Sequence, residues 1–202
     1  EVALKTAVQW WHNRGEARQQ LIAFDGAYHG DTFGAMAVGA RSLFSEPFDP
    51  LLFPVTRIPW PHTHWDDEEL KRREQQALNA LEQALRIPTA AVILEPLVQG
   101  AGGMRIVSPQ FLQAVEHRVR EADSLLIADE VMAGFGRCGR LLASQRASIT
   151  PDLVALSKGL TAGFLPMGIT LASKAIFEEF LGNDPTKTLW HGHSFTANPL
   201  GC

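Results

Sequence analysis

The fold is decided by the stretch Ser124-Leu-Leu-Ile-Ala128 together with the two acids that follow it, Asp129-Glu130. The same pattern occurs in Ala90-Ala-Val-Ile-Leu94 before Glu95-Pro96, and in Leu153-Val-Ala-Leu156 before Ser157-Lys158. Short apolar runs that end at polar or turn-forming residues are typical of buried β-strands. The sequence therefore predicts at least three strands, each followed directly by chemically active side chains.

Longer amphipathic segments separate these runs and indicate helices. Two more apolar runs are also predicted strands, Leu21–Phe24 and Met167–Leu171. The predicted helices are the segment beginning at Glu1, then Asp66–Arg86, Ser108–Ala122 and Ser173–Leu181. Strands that alternate with helices are joined by crossovers, which predicts an α/β fold with a mostly parallel sheet covered by helices on both faces.

Composition narrows the class of protein. The chain has 202 residues, a net charge of −4 and 46% hydrophobic residues, as expected of one globular domain or a piece of one. Its longest basic run is Lys71-Arg-Arg73, and no window approaches the roughly 18 apolar residues of a membrane span. We therefore expect a cytoplasmic protein that binds neither nucleic acid nor membrane. Cys138 and Cys202 cannot form a disulfide framework, and no third ligand accompanies the histidine pairs, so no metal is expected.

The residues that follow the strands indicate a site. In parallel sheets ligands bind beyond the carboxyl ends of the strands, where Glu95, Asp129 and Lys158 are expected to converge. Each of them alone could simply terminate a strand, but three together favour a functional site. Lys158 lies between an apolar strand and Gly159, where a dry environment would make its amine nucleophilic.

A nucleophilic lysine and a buried aspartate match the needs of pyridoxal 5'-phosphate. The lysine holds the cofactor's aldehyde carbon, and the aspartate keeps its pyridine nitrogen protonated. The ring also needs a stacking partner, which Tyr28 or His29 could supply, and Gly30 would let the backbone approach closely.

Five segments resemble class III pyridoxal-phosphate aminotransferases, in order and across essentially the whole chain. They are Ala27–Met36, Glu95–Met104, Leu126–Arg137, Ser157–Thr161 and His191–Leu200. Within the class they are most similar to the branch that acts in biotin biosynthesis. That resemblance implies a small-molecule amino donor, S-adenosylmethionine, and a keto acceptor, 8-amino-7-oxononanoate.

The resemblance also implies catalytic and cofactor-binding roles for particular residues. Lys158 would bind the cofactor and then act as general base and acid, and Asp129 would pair with the pyridine nitrogen. Tyr28 would stack on one face of the ring, and Val131 would pack on the other.

Further positions are implied on the periphery of the site. Ser194 corresponds to a hydroxyl residue that reaches the cofactor phosphate of the neighbouring subunit, which implies a homodimer with shared active sites. Arg137 and Glu95 correspond to positions that line the substrate side, together with Tyr28 and Lys158. Met132 stands where many class III members have glutamine, and an apolar residue there favours the biotin branch.

The resemblance further implies that residues 1–202 are an internal fragment of the cofactor-binding large domain. A Ser-Gly-Ser type phosphate cup is expected upstream of Glu1, and a small domain after Cys202. Two alternatives stay open at this point. One is another class III activity, with an ω-amino acid or a diamine as donor and pyruvate as acceptor, and the other is a non-catalytic scaffold with the same fold.

Overall fold

The computed structural model describes residues 1–202 and contains a six-stranded sheet in the order β2-β1-β3-β6-β7-β8. Its strands are β1 (Gln20–Phe24), β2 (Thr56–Ile58), β3 (Thr89–Leu94), β6 (Leu125–Asp129), β7 (Leu153–Leu156) and β8 (Ile169–Ala172). A separate hairpin is formed by β4 (Val98–Gln99) and β5 (Arg105–Ile106). The helices are α1 (Val2–Asn13), α2 (Phe33–Val38), α3 (Leu70–Ala84), α4 (Pro109–Glu121), α5 (Ala143–Ala147) and α6 (Lys174–Glu179).

The predicted α/β architecture is confirmed, with one qualification at the edge of the sheet. Neighbouring strands from β2 to β7 pair in parallel, whereas β8 pairs with β7 antiparallel. Residues 157–168, which join β7 to β8, contain only a one-turn 3-10 helix and no α-helix, whereas parallel neighbours are usually joined by a crossover helix. All five predicted strands are present. The sequence did not predict β2, β4, β5, α2 and α5, which are too short to show a period.

Both faces of the central sheet are buried, and alternate residues of each strand supply the two cores. Ile22 and Phe24 of β1 pack with α3 and α4 in a cluster of 21 buried residues. Leu21 and Ala23 point the other way, into a cluster of 15 that includes α1 and Ile176 of α6. This alternation follows from the two-residue period of a strand. The central strands therefore have no solvent-exposed face, and their polar residues gather at the strand ends.

Helix boundaries follow local signals. The Ser108 hydroxyl accepts a hydrogen bond from the Phe111 N–H at 3.0 Å and so caps α4, as the Ser-Pro sequence predicts. Helix α3 begins at Leu70 rather than at the predicted Asp66, because Asp66 has a positive φ of 56° and belongs to a turn. None of the helices is long and apolar enough to cross a bilayer.

Candidate functional site

Strand register places the predicted residues along one edge of the sheet. Ala128 lies opposite Leu94 and Asp129 lies opposite Ala155, so three adjacent strands end side by side. Glu95 follows β3 directly, Asp129 is the last residue of β6, and Lys158 lies two residues after the end of β7. The segment that carries Tyr28 and His29 follows β1, which is the next strand in the order. The strands that carry these residues therefore end at one edge of the sheet, and the convergence of Glu95, Asp129 and Lys158 in one site stays a prediction.

Asp129 is held by two donors on opposite oxygens. His29 Nδ1 lies 2.8 Å from Oδ2, and the Val131 N–H donates to Oδ1 at 3.1 Å. The side chains of Asp129 and His29 are only 9% and 2% exposed. A buried carboxylate that is fixed at both oxygens presents its charge in one direction, which suits recognition of a cationic ring nitrogen.

Glu130 anchors the segment that follows Asp129. Its carboxylate is fully buried and accepts the N–H groups of Ala143 and Ser144 at 2.9 and 2.7 Å, and the Ser144 hydroxyl at 2.7 Å. The side chain therefore satisfies the first free N–H groups of α5. This contact fixes the backbone next to Asp129 and closes the 131–142 loop against the strands.

Glu95 ties two loops together at the edge. Its oxygens accept the Tyr28 N–H at 3.0 Å and the Gly100 N–H at 2.9 Å, and the residue is 5% exposed. Burial raises the pKa of this carboxyl, while the two backbone hydrogen bonds act in the opposite direction. The structure gives Glu95 a role in joining the β1 loop to the β4–β5 hairpin, and its implied contact with substrate stays a prediction.

The structure distinguishes the two candidates for stacking. The ring of His29 is enclosed beside Asp129, so it is engaged edge-on by a hydrogen bond rather than exposed as a platform. Tyr28 is 43% exposed, and its hydroxyl donates to Asp31 Oδ2 at 3.0 Å. Partial burial raises the pKa of the Tyr28 hydroxyl, and the hydrogen bond to Asp31 raises this pKa further. An exposed aromatic face on a fixed side chain is what a stacking partner requires.

Lys158 has a strained backbone. Its φ is +27°, a region that residues other than glycine rarely adopt, and it opens a one-turn 3-10 helix, Lys158–Leu160. The preceding Ser157 hydroxyl donates to the Met167 carbonyl at 2.6 Å and helps to hold the turn. Lys158 is exposed, so the predicted dry environment around its amine is wrong for these residues: the lysine follows the end of β7 in a surface turn, where no neighbouring element covers it. Strain of this kind concentrates at functional sites, so the conformation supports the role that the sequence suggests.

The remaining predicted residues lie further out. Val131 is half-buried directly after the Asp129-Glu130 pair, as a residue against a bound ring would be. Arg137 Nε donates to the Met132 carbonyl at 2.7 Å, so the guanidinium forms a hydrogen bond within the 131–142 loop. Ser194 is exposed in the C-terminal segment and forms no hydrogen bond within the chain.

Sequence reasoning missed two members of this cluster. His29 was considered only as a stacking partner, although its ring is the partner of Asp129, which lies 100 positions away. Glu130 was given no role, although it is the most buried acid of the site. A second acid directly after a strand-ending aspartate could have indicated a buried anchoring contact, because a buried carboxylate needs hydrogen-bond donors nearby.

The side chains fit pyridoxal phosphate better than a metal ion. The site combines an oriented buried carboxylate, an accessible amine on a strained backbone and an exposed aromatic ring. No group of three or more histidine, cysteine or acidic side chains has the geometry to hold a metal.

Comparison with known families decides the class. The family model for aminotransferase class III matches residues 1–202, which is the entire chain. The chain belongs to the class III aminotransferase family.

Curated relatives of this chain include several that share one name. An adenosylmethionine-8-amino-7-oxononanoate aminotransferase from Synechococcus elongatus is 61% identical over 203 aligned residues, and one from Geobacter sulfurreducens is 43% identical over 210. Each comparison covers 100% of this chain but only 48% and 46% of the relative. The chain thus spans about half the length of the curated relatives that it matches.

Solved class III structures confirm the fold. The Methanocaldococcus jannaschii adenosylmethionine-8-amino-7-oxononanoate aminotransferase has a TM-score of 0.83 at 34% identity, over 96% of this chain and 44% of that one. An amine transaminase from an uncultivated Pseudomonas species, in its pyridoxal-phosphate-bound form, has a TM-score of 0.87 at 31% identity, over 96% and 45%. Backbone similarity therefore does not separate these two kinds of transaminase.

Proposed function

We propose that residues 1–202 are the cofactor-binding core of the large domain of a pyridoxal 5'-phosphate-dependent aminotransferase. The observation that carries this proposal is that Asp129 ends β6 opposite Ala155 of β7, and Lys158 comes two residues after β7 ends. Asp129 is buried and oriented, and Lys158 is accessible and strained. Neither feature is needed for the sheet to fold, so together they favour a catalytic role over a scaffold.

The residues of the edge have distinct proposed roles. Pyridoxal phosphate, when bound, supplies an electron sink that permits the exchange of an amino group. Lys158 would attach the cofactor through Nζ and, once displaced by the donor amine, would move a proton between carbon atoms as base and then acid. Asp129 would keep a proton on the ring nitrogen. Tyr28 and Val131 would cover the two faces of the ring and exclude water.

The proposed reaction transfers an amino group from S-adenosylmethionine to 8-amino-7-oxononanoate and gives 7,8-diaminononanoate for biotin biosynthesis. The support is the 61% identity to a relative of that name, together with Met132 at the position where many class III members have glutamine. Arg137 and Glu95 are the further candidates for the substrate side.

The enzyme is proposed to be a cytoplasmic homodimer with shared active sites. Large apolar side chains are strongly exposed in three separate segments, as expected of a surface that a second copy covers. They include Leu43, Phe44, Phe164, Trp190 and Phe195. Ser194 lies in the last of these segments, between Trp190 and Phe195, from where its hydroxyl would reach the cofactor phosphate of the neighbouring subunit.

A second candidate function is an amine or ω-amino acid transamination with pyruvate as acceptor. It is favoured by the high TM-scores to an amine transaminase and to an ω-transaminase from Thermomicrobium roseum, 0.87 and 0.88. Single-turnover spectroscopy on the full-length enzyme separates the two candidates, because the visible band of the bound cofactor is lost when a true donor is added.

We expect S-adenosylmethionine to bleach the band and 8-amino-7-oxononanoate to restore it, whereas alanine or a diamine leaves it intact. The opposite pattern would support the second candidate. Lys158→Ala should abolish the band, and Lys174→Ala, an exposed lysine on α6, should preserve it. If neither the wild type nor any variant shows the band, the scaffold interpretation is correct.

A further inference from the structure

The loop after β6 lies against the turn that carries Lys158, and the proposed reaction gives this contact no role. A Cβ atom placed on Gly159 would lie 2.7 Å from both Cβ and Cδ2 of Phe135, and 2.8 Å from its Cγ. A Cβ atom placed on Gly134 would lie 3.4 Å from a methyl group of Leu156, the last residue of β7. The loop therefore passes the end of β7 at two points, and Phe135 rests on the backbone next to the lysine.

Phe135 occupies this place at a cost in free energy. Its φ is +59°, a left-handed conformation that is an outlier for a bulky side chain. The residue is 37% exposed, so burial of its ring offsets only part of that cost. Backbone strain of this kind persists where the surrounding structure enforces it, and it concentrates at functional sites. Hydrophobic packing alone therefore does not account for this aromatic residue.

Hydrogen bonds hold the same turn from its other side. Strands β6 and β8 flank β7, and the Ser157 hydroxyl donates to the carbonyl of Met167, just before β8, at 2.6 Å. The Leu160 N–H donates to the Ser157 carbonyl at 2.8 Å and closes the turn. Between them Lys158 has its φ of +27°. The turn is thus held by Ser157 on the β8 side and by Phe135 on the β6 side.

We propose that Phe135 is a positioning residue for Lys158. Its side chain fills the space beside the Gly159 Cα and keeps the strained turn from relaxing, while the lysine side chain itself stays exposed. A change of φ at residue 158 would swing the whole lysine side chain, so the contact fixes the direction in which the amine projects. The inference rests on the proposed attachment of pyridoxal phosphate to Lys158.

The same contact explains why glycine follows Lys158. The φ of Gly159 lies outside the left-handed region, so its backbone would accept alanine. A side chain is excluded there by Phe135, whose Cβ cannot move away by a change of rotamer. A Cβ atom on Gly168 would instead lie 3.7 Å from its nearest neighbour, which is an ordinary contact. Alanine substitution of the two glycines therefore separates the contact with Phe135 from a general loss of flexibility.

The first test measures how fast the full-length apoenzyme attaches pyridoxal 5'-phosphate, from the growth of the visible band at increasing cofactor concentration. The reaction joins Lys158 Nζ to the aldehyde carbon and releases one water. Phe135→Ala should lower the limiting rate constant about 5- to 50-fold, because a misdirected amine meets the aldehyde less often. The half-saturating concentration should stay within about twofold of the wild type, since it reports binding before attachment.

Two control variants accompany Phe135→Ala. Phe135→Tyr keeps the ring, and Phe177→Ala removes an exposed ring from α6, so both should attach the cofactor within about twofold of the wild-type rate. Equal losses in Phe135→Tyr and Phe135→Ala would overturn the proposal, and so would an unchanged rate constant in Phe135→Ala. A weaker half-saturating concentration without a slower limiting rate would also overturn it, because the ring would then serve cofactor binding.

The second test uses the two glycines. Gly159→Ala should slow attachment, because the new methyl group collides with Phe135, whereas Gly168→Ala should not. The double variant Phe135→Ala/Gly159→Ala should be no slower than Phe135→Ala alone, since the methyl group then has room. Losses that multiply in the double variant would reveal two independent effects and overturn the proposed contact. If Phe135→Ala does not fold, Gly159→Ala and the third measurement still decide.

The third measurement reads the contact directly, by NMR of the full-length apoenzyme with labelled glycine and phenylalanine. We expect a nuclear Overhauser effect between the ring protons of Phe135 and the α-protons of Gly159, with signals assigned by Phe135→Tyr and Gly159→Ala. Its absence would overturn the inference. If the wild type attaches no pyridoxal phosphate, the proposed function fails, whereas this measurement still reports on Phe135 and Gly159.

Discussion

Replacing Glu130 by glutamine changes one oxygen of a buried three-donor contact into an amide nitrogen. The wild-type carboxylate accepts two hydrogen bonds at Oε1, from the N–H and the hydroxyl of Ser144, and one at Oε2, from the Ala143 N–H. In the least damaging orientation the amide oxygen keeps the two Ser144 contacts. The new N–H₂ group then faces the Ala143 N–H, and two donors confront each other in a buried site.

The expected cost follows from these contacts. Leaving one buried donor without an acceptor costs about 1–3 kcal/mol, and hydrogen bonds to a neutral oxygen are roughly half as strong as those to a carboxylate. We expect Glu130→Gln to lower the free energy of unfolding by about 2–4 kcal/mol. Ser144→Ala, which removes one of the three donors and strands none, should cost about 1–2 kcal/mol.

The assay is urea unfolding of the enzyme, followed by tryptophan fluorescence, with Glu82→Gln on the exposed face of α3 as the matched control. The two substitutions remove the same charge, so the difference between them isolates the buried contact. Glu130→Gln combined with Ser144→Ala should be less destabilising than the sum of the two, because both act on the same oxygens. A Glu130→Gln variant as stable as the control would refute the assignment of Glu130 as the anchor of the loop.

Three further outcomes are expected. Trp11→Phe should lower the free energy of unfolding by about 2–4 kcal/mol in the same urea assay. The substitution removes the buried hydrogen bond from the indole N–H to the Ala90 carbonyl, which is 2.9 Å long, and leaves a void. A change of less than about 1 kcal/mol would contradict this prediction. Burial raises the pKa of Glu95 above its ordinary 4.5, so its contribution to stability is complete below pH 4.5 and is lost as the pH rises through the folded pKa. Unfolding free energies from pH 4.5 to 7 should show this decline in the wild type relative to Glu95→Gln, and parallel curves would argue against it. Burial raises the pKa of the Cys138 thiol, and the charge of nearby Glu130 raises it further. Iodoacetamide at pH 8 should therefore modify the exposed Cys202 before Cys138, as followed by mass spectrometry. Faster labelling of Cys138 would contradict this prediction.

The sequence alone determined the α/β class, the five longer strands and the edge of the sheet at which the candidate site residues lie. Buried strands such as Ala90–Leu94 form continuous apolar runs, and a run must end where the first charged side chain appears. Because parallel strands all end at the same edge, Glu95, Asp129 and Lys158 could be grouped without any knowledge of contacts. The direction of β8 was not available in this way, since the apolar pattern of a strand is the same for parallel and antiparallel pairing.

Tertiary structure alone decided which side chains hold one another at that edge. The partners His29 and Asp129 are separated by 100 positions, and Glu130 reaches Ser144 across a 14-residue separation. Such contacts depend on the paths of irregular loops, which have no periodicity that a sequence pattern could reveal. The strained φ of Lys158 is likewise a property of the assembled turn, because a lysine adopts that conformation only where the surrounding structure enforces it.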